Sequence, residues 1–238
     1  MRQLYPRAQE VDLVAVYAYP DSLDRPYVRA NMVSSIDGAA SLAGRSRGLS
    51  SPADKQIFAV LRALADVVLV GAGTVRTEGY GPGRIRAEYA PLRARRSQPS
   101  DVSIAIVSRS LDLDLRSGLF REARPIVVTC ATADTGRLAE VEDVADVLVA
   151  GDEQVDLRDA ISGLRARELP RVLCEGGPRL LGDLLHSQLL DELCLTLSPL
   201  VAGGTAPRIV AGDDVQLPMT LGSLLEDSGA LFARYVRA

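Results

Sequence analysis

Residues Arg171 to Gly204 read RVLCEGGPRLLGDLLHSQLLDELCLTLSPLVAGG. The apolar run Val172-Leu173-Cys174 has the length of a buried strand and is too short for a helix. Glu175 follows, then Gly176-Gly177, then Pro178. Two glycines let the backbone turn tightly or approach a ligand closely. Proline suits a first helical position, where its missing N–H would have had no partner. Leu180, Leu181, Leu184 and Leu185 then recur at helical spacing and form one apolar face. A strand, a glycine turn and a helix N-terminus with free N–H groups make an anion site, and Glu175 stands at its lip.

Working outward, Leu193, Leu195 and Leu197 alternate with polar residues, as in a strand with one buried face. Two closing strands, near 221–226 and 230–236, flank Asp227-Ser228-Gly229 as a hairpin turn. Upstream, Val67-Val68-Leu69-Val70 is continuously apolar, the pattern of a strand covered on both sides. It leads into Gly71-Ala72-Gly73-Thr74, a second strand-to-glycine junction. Before it, Ser51-Pro52-Ala53-Asp54 is a helix start, with Ser51 as cap and Asp54 at the reciprocal capping position. Ile57, Phe58, Leu61, Leu64 and Ala65 continue that helix, and Asp66 marks its exit. Residues 27–33 suggest a strand ending at Ser34-Ser35 and the turn Asp37-Gly38, and 41–50 reads as a loop. Residues 77–100, TEGYGPGRIRAEYAPLRARRSQPS, read as a long irregular loop whose arginines (84, 86, 93, 95 and 96) are either solvated or contact phosphate. Further strands are expected at 102–107, 126–129 and 147–149, with helices over 135–142 and after Asp156. Residues 1–25 read as an arm packed on or preceding the core, or as a first helical turn. Strand and helix alternate without a linker or repeat. This predicts one α/β domain over 1–238, with a mostly parallel sheet, helices on both faces and an antiparallel C-terminal hairpin. Ligands then belong at the carboxyl ends of the strands, beside the glycine loops.

Composition narrows the functions available. A net charge of −4 gives no basic field for nucleic acid or an anionic membrane. Three cysteines without a CxxC pair and a single histidine, His186, are too few soft ligands for a zinc site. They fit a reducing cytoplasm. The first residues lack the apolar core of a signal peptide, and no run approaches the ~18 apolar residues of a membrane span. Gly71-Ala72-Gly73 is no dinucleotide fingerprint, because the third glycine position is Arg76. Lys55 has no glycine run before it, so there is no P-loop, and no G-x-S-x-G elbow is present. Two backbone N–H cradles on one sheet favour a pyrophosphate ligand such as a dinucleotide.

The segments RPYVRANMVSSIDG, LRALADVVLVGAGTV and VLCEGGPRLLGDLLHSQLLDELCLTLSPLVAGG closely resemble the RibD C-terminal domain, the pyrimidine reductase of riboflavin biosynthesis. The resemblance runs from about Arg25 to the C-terminus. It implies a dihydrofolate-reductase-like fold, NADPH as hydride donor and a homodimer. The implied reaction reduces the ribose of 5-amino-6-(5-phosphoribosylamino)uracil, or of its diamino-pyrimidine precursor, to a ribitylamine. By motif match Gly176, Gly177, Pro178, Arg179, Leu180 and Leu181 cradle the cofactor pyrophosphate, with Gly71 and Gly73 in the second junction. Val33, Gly48 and Thr74 match other cofactor positions, and Ser108 with Arg109 sits where a 2′-phosphate is recognised. Ser46, Arg62, Glu175 and one of Arg84 or Arg86 match substrate positions. Glu175, Asp37 and Glu78 are the acidic candidates for holding the pyrimidine or relaying a proton.

Two departures from the family pattern stand out. Ala39-Ala40-Ser41 follows the Asp-Gly turn where many members carry lysine, and Glu78-Gly79-Tyr80-Gly81-Pro82 replaces a D-[DN]-P sequence. The chain carries no H-x-E or PCxxC and so no deaminase chemistry of its own. Two rival readings remain: a dihydrofolate-reductase-like paralogue acting on another pterin or pyrimidine, and a non-catalytic NADPH-binding protein.

Overall fold

The run Val67–Val70 is apolar at every position because both of its faces are covered. In the computed structural model, which describes residues 1–6 and 9–238, it forms strand β4 (Val67–Gly71). Val68 and Val70 join Ile57, Val60, Leu61 and Leu64 of helix α2 (Pro52–Leu64) in one hydrophobic cluster. Val67 and Leu69 face the opposite way. Their cluster includes Ile161 and Leu164 of α7 (Leu157–Ala166) and Leu180, Leu181 and Leu184 of α8 (Pro178–His186).

The remaining strands are β1 (Arg2–Tyr5), β2 (Gln9–Glu10), β3 (Tyr27–Ser35), β5 (Ser103–Val107), β6 (Ile126–Thr129), β7 (Asp146–Val149), β8 (Arg171–Cys174), β9 (Glu192–Ser198), β10 (Met219–Asp227) and β11 (Ala230–Arg237). They form one sheet in the order β2-β1-β10-β11-β9-β3-β8-β4-β5-β6-β7. From β9 to β7 all neighbours are parallel. The β10–β11 hairpin and β1 extend the sheet antiparallel. This is the expected mostly parallel α/β sheet with a C-terminal antiparallel hairpin. Strands β3 and β4 flank β8, with Ala30 and Leu69 both in register with Cys174, so their carboxyl ends open together on one side.

The N-terminal stretch packs on the core: β1 pairs with β10, and after α1 (Leu13–Val16), capped by Asp12, Tyr17 and Tyr19 are buried. Residues 7–8 of that stretch lie outside the described residues. Residues 77–100 are not one irregular loop. Helix α3 (Ala72–Glu78) starts at the glycine junction itself, and α4 (Ala90–Arg95) follows. Arg93 of α4 is neither solvated nor free for phosphate. It is 1% exposed, and its guanidinium donates to the carbonyls of Ala63 and Ala65 at the end of α2 and of Pro99 and Asp101. The arginine thus satisfies carbonyls that a helix end leaves without partners. The short helix α5 (Gly118–Glu122) and α6 (Thr135–Glu142) complete the set.

A charged network crosses the junction between the parallel and antiparallel halves. Glu192 and Arg29 are both 0% exposed, with Arg29 Nε 2.6 Å from Glu192 Oε1. Arg234 donates to both carboxylate oxygens at 2.9 Å, and the Tyr27 hydroxyl donates at 2.9 Å. Arg29 also donates to the Tyr17 carbonyl at 2.8 Å, which ties the N-terminal segment to β3. Burial alone would raise the Glu192 carboxyl, but the guanidiniums of Arg29 and Arg234 outweigh it and hold the group below its ordinary value.

Glu192→Gln leaves two buried guanidiniums without a counter-charge, so urea unfolding should report a loss of about 3–5 kcal/mol. A loss below about 1 kcal/mol would show that the network is dispensable. A depressed carboxyl stabilises fully above its unfolded value and loses that contribution as pH falls through its folded value. The melting-temperature gap between wild type and Glu192→Gln should therefore narrow on acidification below about pH 4. A second test addresses packing. A Cβ on Gly182 of α8 would lie 2.0 Å from the Ala211 carbonyl oxygen. Gly182→Ala should cost roughly 1–3 kcal/mol and speed amide exchange over 207–212; unchanged exchange there would show that this segment does not rest on α8.

Candidate active site

At the carboxyl ends of β4 and β8 the two glycine junctions are locked side by side. The Glu175 N–H donates to the Leu69 carbonyl at 3.0 Å, and the Gly71 N–H donates to the Gly176 carbonyl at 2.9 Å. Gly176 adopts φ +84°, a left-handed value that favours glycine, and a cis peptide joins it to Gly177. A Cβ on Gly177 would stand 2.7 Å from the Thr74 hydroxyl, so the two turns are in contact. Where α2 and α7 begin, Ser51 and Asp156 fill the first-turn N–H groups with side-chain oxygens. α8 begins differently: Gly177 is its cap and offers no side-chain acceptor, and Pro178 opens the first turn. Its N-terminal N–H groups are left for an anion.

These junctions form one wall of a cleft of about 550 Å³, bounded also by Val33, Asp54, Arg62, Glu78 and Tyr80. Gly73 borders both this cleft and a second depression of about 470 Å³ that holds Arg76, Ser108 and Arg109. The Ser108 hydroxyl is buried there without a hydrogen-bond partner. Unsatisfied buried polar atoms are uncommon and call for a ligand or ordered water. The uncapped helix, the cradle a Cβ would fill and the orphaned hydroxyl fit a long, doubly anionic molecule laid across both depressions.

Glu175 sits inside the cleft wall rather than free at its lip, with its side chain 2% exposed. Arg62 from α2 grips it with two 2.7 Å hydrogen bonds, Nε to Oε1 and Nη2 to Oε2. The Tyr80 hydroxyl adds a third at 2.6 Å. Such a bidentate pair fixes both partners in a plane. The guanidinium also stacks over the Phe58 ring at 4.4 Å. Burial opposes the Arg62 charge, yet Glu175 more than compensates and the arginine stays charged. Burial and the adjacent carboxylate push the Tyr80 hydroxyl well above its ordinary value, so it stays protonated and donates to Glu175. Behind the turn, burial raises the Cys174 thiol to about 12, which leaves it an inert packing group.

The other sequence-derived residues fall into two groups. Val33, Ser46, Thr74 and Glu78 border the cleft, with the Ser46 N–H donating to Glu78 Oε1 at 2.8 Å. This bond closes the 41–50 loop over α3, and Gly48 lies in the same short turn, Ser46–Gly48. Arg179 is exposed at the start of α8, while the Leu180 and Leu181 side chains are buried. The Leu180 backbone N–H can serve a ligand, whereas the Leu181 N–H donates to the Gly177 carbonyl at 3.1 Å. Asp37 stands apart from the cleft lining. Backbone N–H groups of Ala202 and Gly203 and the Ser35 hydroxyl hold it, and they lower its carboxyl to about 2. Its contacts are those of a loop tie. Arg84 pairs with Glu122 at 2.6 Å on the surface and borders a different depression. Arg86 reaches the Lys55 carbonyl at 3.3 Å beside the cleft mouth.

Several cleft residues escape the sequence reading, among them Arg47, Asp54, Lys55, Phe58 and Tyr80. Asp54 was assigned to a capping box, yet its carboxylate turns inward to accept from Thr196 at 2.7 Å and Ser50 at 2.5 Å. Tyr80 fell in a stretch read as irregular. The one signal for it was local: an aromatic among Gly-Pro turns with an acidic residue two positions earlier.

The description RibD C-terminal domain matches residues 26–231 of the chain. The 2,5-diamino-6-ribosylamino-4(3H)-pyrimidinone 5′-phosphate reductase of Archaeoglobus fulgidus is 32% identical over 196 residues, which cover 79% of this chain and 88% of that protein. The reductase of the same name from Methanothermobacter thermautotrophicus is 28% identical, with 80% and 86% covered. The crystal structure of a pyrimidine reductase-like protein from Corynebacterium diphtheriae superposes with a TM-score of 0.86 at 28% identity, covering 96% of this chain and 99% of that one. With most of its length matched, and with the glycine junctions and the Glu175 turn inside the matched region, the chain belongs to the RibD C-terminal domain family.

Proposed function

We propose that this chain is an NADPH-dependent reductase of riboflavin biosynthesis. In this reading it converts the ribosyl group of a 6-ribosylaminopyrimidine 5′-phosphate to the ribitylamine. The observation that carries the proposal is the pair of uncapped glycine junctions, bonded to each other and opening onto one cleft. The same family's reductases, named for the diamino-pyrimidinone, support it.

In this reading the free N–H groups at the start of α8, from Gly177, Arg179 and Leu180, hold the cofactor pyrophosphate, with Pro178 setting the helix start and Leu181 closing the first turn onto the Gly177 carbonyl. Gly71, Gly73, Thr74 and Val33 leave room for the backbone of the dinucleotide. Ser108 and Arg109, with Arg76 nearby, take the 2′-phosphate and favour NADP over NAD. The hydride is the chemistry a nicotinamide cofactor supplies when bound. The protein orients the sugar carbon against it and shields both from water, with Phe58 and Tyr80 as the apolar wall. The Arg62–Glu175 pair is neutral as a unit, so it presents shape and directed hydrogen bonds rather than a free charge. Arg47 and Lys55 border the cleft and have no carboxylate partner among the described residues. They carry the substrate phosphate in this reading, with Ser46 and Arg86 beside them. Three buried free cysteines suit a reducing cytoplasm, and the family resemblance supports a homodimer, which sedimentation velocity would test.

NADPH oxidation, followed by absorbance with the ribosylaminopyrimidine phosphate added, should show turnover. Turnover with dihydrofolate alone would replace this reading by that of a paralogue, and tight NADPH binding without turnover by that of a binding protein. Arg109→Ala should weaken NADPH roughly tenfold while leaving NADH affinity unchanged, since one charge-assisted phosphate contact is lost; an equal loss for both would remove the 2′-phosphate from this depression. Glu175→Gln should lower turnover by roughly tenfold or more with NADPH affinity nearly unchanged. Collapse of NADPH binding in a protein that still melts cooperatively would show that Glu175 serves the cofactor instead.

A further inference from the structure

Three carboxylates border the cleft. Glu175 is filled by Arg62 and Tyr80, whereas Glu78 is half-buried and accepts a single backbone N–H, from Ser46, by which it closes the 41–50 loop. Asp54 differs. It is 8% exposed, borders the cleft, and has no cationic partner among the described residues. Its oxygens accept one hydroxyl each, Oδ1 from Thr196 on β9 and Oδ2 from Ser50. Two lone-pair directions are used, and a carboxylate has about four. The Ser51 hydroxyl caps the Asp54 N–H, but no reciprocal bond from the Ser51 N–H to the Asp54 carboxylate closes the box. A buried carboxylate without a counter-charge is costly where it serves packing alone. Here two hydroxyls from different elements fix its plane at the wall of the cleft.

Resting on the reading above, we propose that Asp54 receives the pyrimidine edge and selects the 2-amino substrate over its deaminated form. In a 2-amino-4(3H)-pyrimidinone the ring N3–H and the exocyclic 2-amino group are adjacent donors in one plane. They match the two oxygens of a carboxylate as a bidentate pair. Deamination puts a carbonyl oxygen at C2. That oxygen faces an acceptor-only group and replaces one hydrogen bond by repulsion. A site built to accept from a substrate N–H discriminates strongly against an analogue that lacks it. Thr196 and Ser50 act as positioning residues in this account, since they touch the carboxylate and not the substrate.

The test compares kcat/KM for the 2,5-diamino-pyrimidinone and the 5-aminouracil substrates, both as ribosylamino 5′-phosphates, with NADPH saturating. Wild type should prefer the diamino form by roughly tenfold or more. Asp54→Asn presents one acceptor and one donor, which fits N3–H beside a C2 carbonyl. The preference should therefore vanish or invert, mainly through KM for the diamino substrate, with the NADPH dissociation constant unchanged. If Asp54→Asn lowers both substrates equally, the residue is structural and the proposal fails. A wild-type ratio near one, or a preference for the uracil, overturns it without any variant and covers the case in which Asp54→Asn does not fold. Absence of turnover with both pyrimidines would instead defeat the reductase reading.

Discussion

Two backbone hydrogen bonds, Glu175 N–H to Leu69 and Gly71 N–H to Gly176, set the geometry on which everything in the cleft depends. They continue the β4–β8 pairing one step beyond the strands, so both glycine turns leave the sheet at the same height. The turns cannot move independently, because Gly177 and Thr74 are already in contact. Helix α8 is held from behind by Leu180, Leu181 and Leu184 in the buried cluster, and from its side by the segment around Ala211. Its uncapped N-terminus is therefore rigid. An anion bound there meets donors already aimed, which is what gives backbone N–H groups their strength as recognition elements.

The same economy governs the charged residues. Four buried or half-buried guanidiniums have fixed partners: Arg29 and Arg234 share Glu192, Arg62 holds Glu175, and Arg93 takes the carbonyls at the end of α2. At these four places the planar fork of arginine cross-links separate elements. Arg62 does both jobs. It links α2 to the turn after β8, and it removes net charge from the wall where the pyrimidine lies in the proposed function.

Legibility followed the range of the interaction. The VVLV run, the EGGP turn and the Ser51 cap are governed by neighbours in sequence, and each formed as read. Residues 77–100 mislead because composition cannot distinguish an arginine in water from one turned into a helix end; Arg93 sits 28 to 30 residues from the two carbonyls it serves at the end of α2. Asp37 illustrates a similar limit. An Asp at a turn reads as a candidate acid, whereas its loop tie to Ala202 and Gly203 spans 165 and 166 residues. The arm at 1–25 was unreadable for the same reason, since its anchor on β10 lies at the other end of the chain.

Asp54 shows how one residue can satisfy a local rule and still owe its place to a distant partner. Ser-Pro-Ala-Asp is a sufficient helix start with Ser51 alone, and the backbone confirms that cap. Had the carboxylate closed the capping box it would sit at the helix surface, exposed and interchangeable with glutamate. Thr196 draws it inward instead, across 142 residues, and Ser50 holds its second oxygen. The two hydroxyls supply orientation without charge. They leave the carboxylate directed but not neutralised, in contrast to Glu175, which Arg62 neutralises in the wall of the same cleft. Of the two buried carboxylates of the cleft one is neutralised and the other is not, so the wall is polarised. A ligand that brings two N–H donors completes the second while leaving the first untouched.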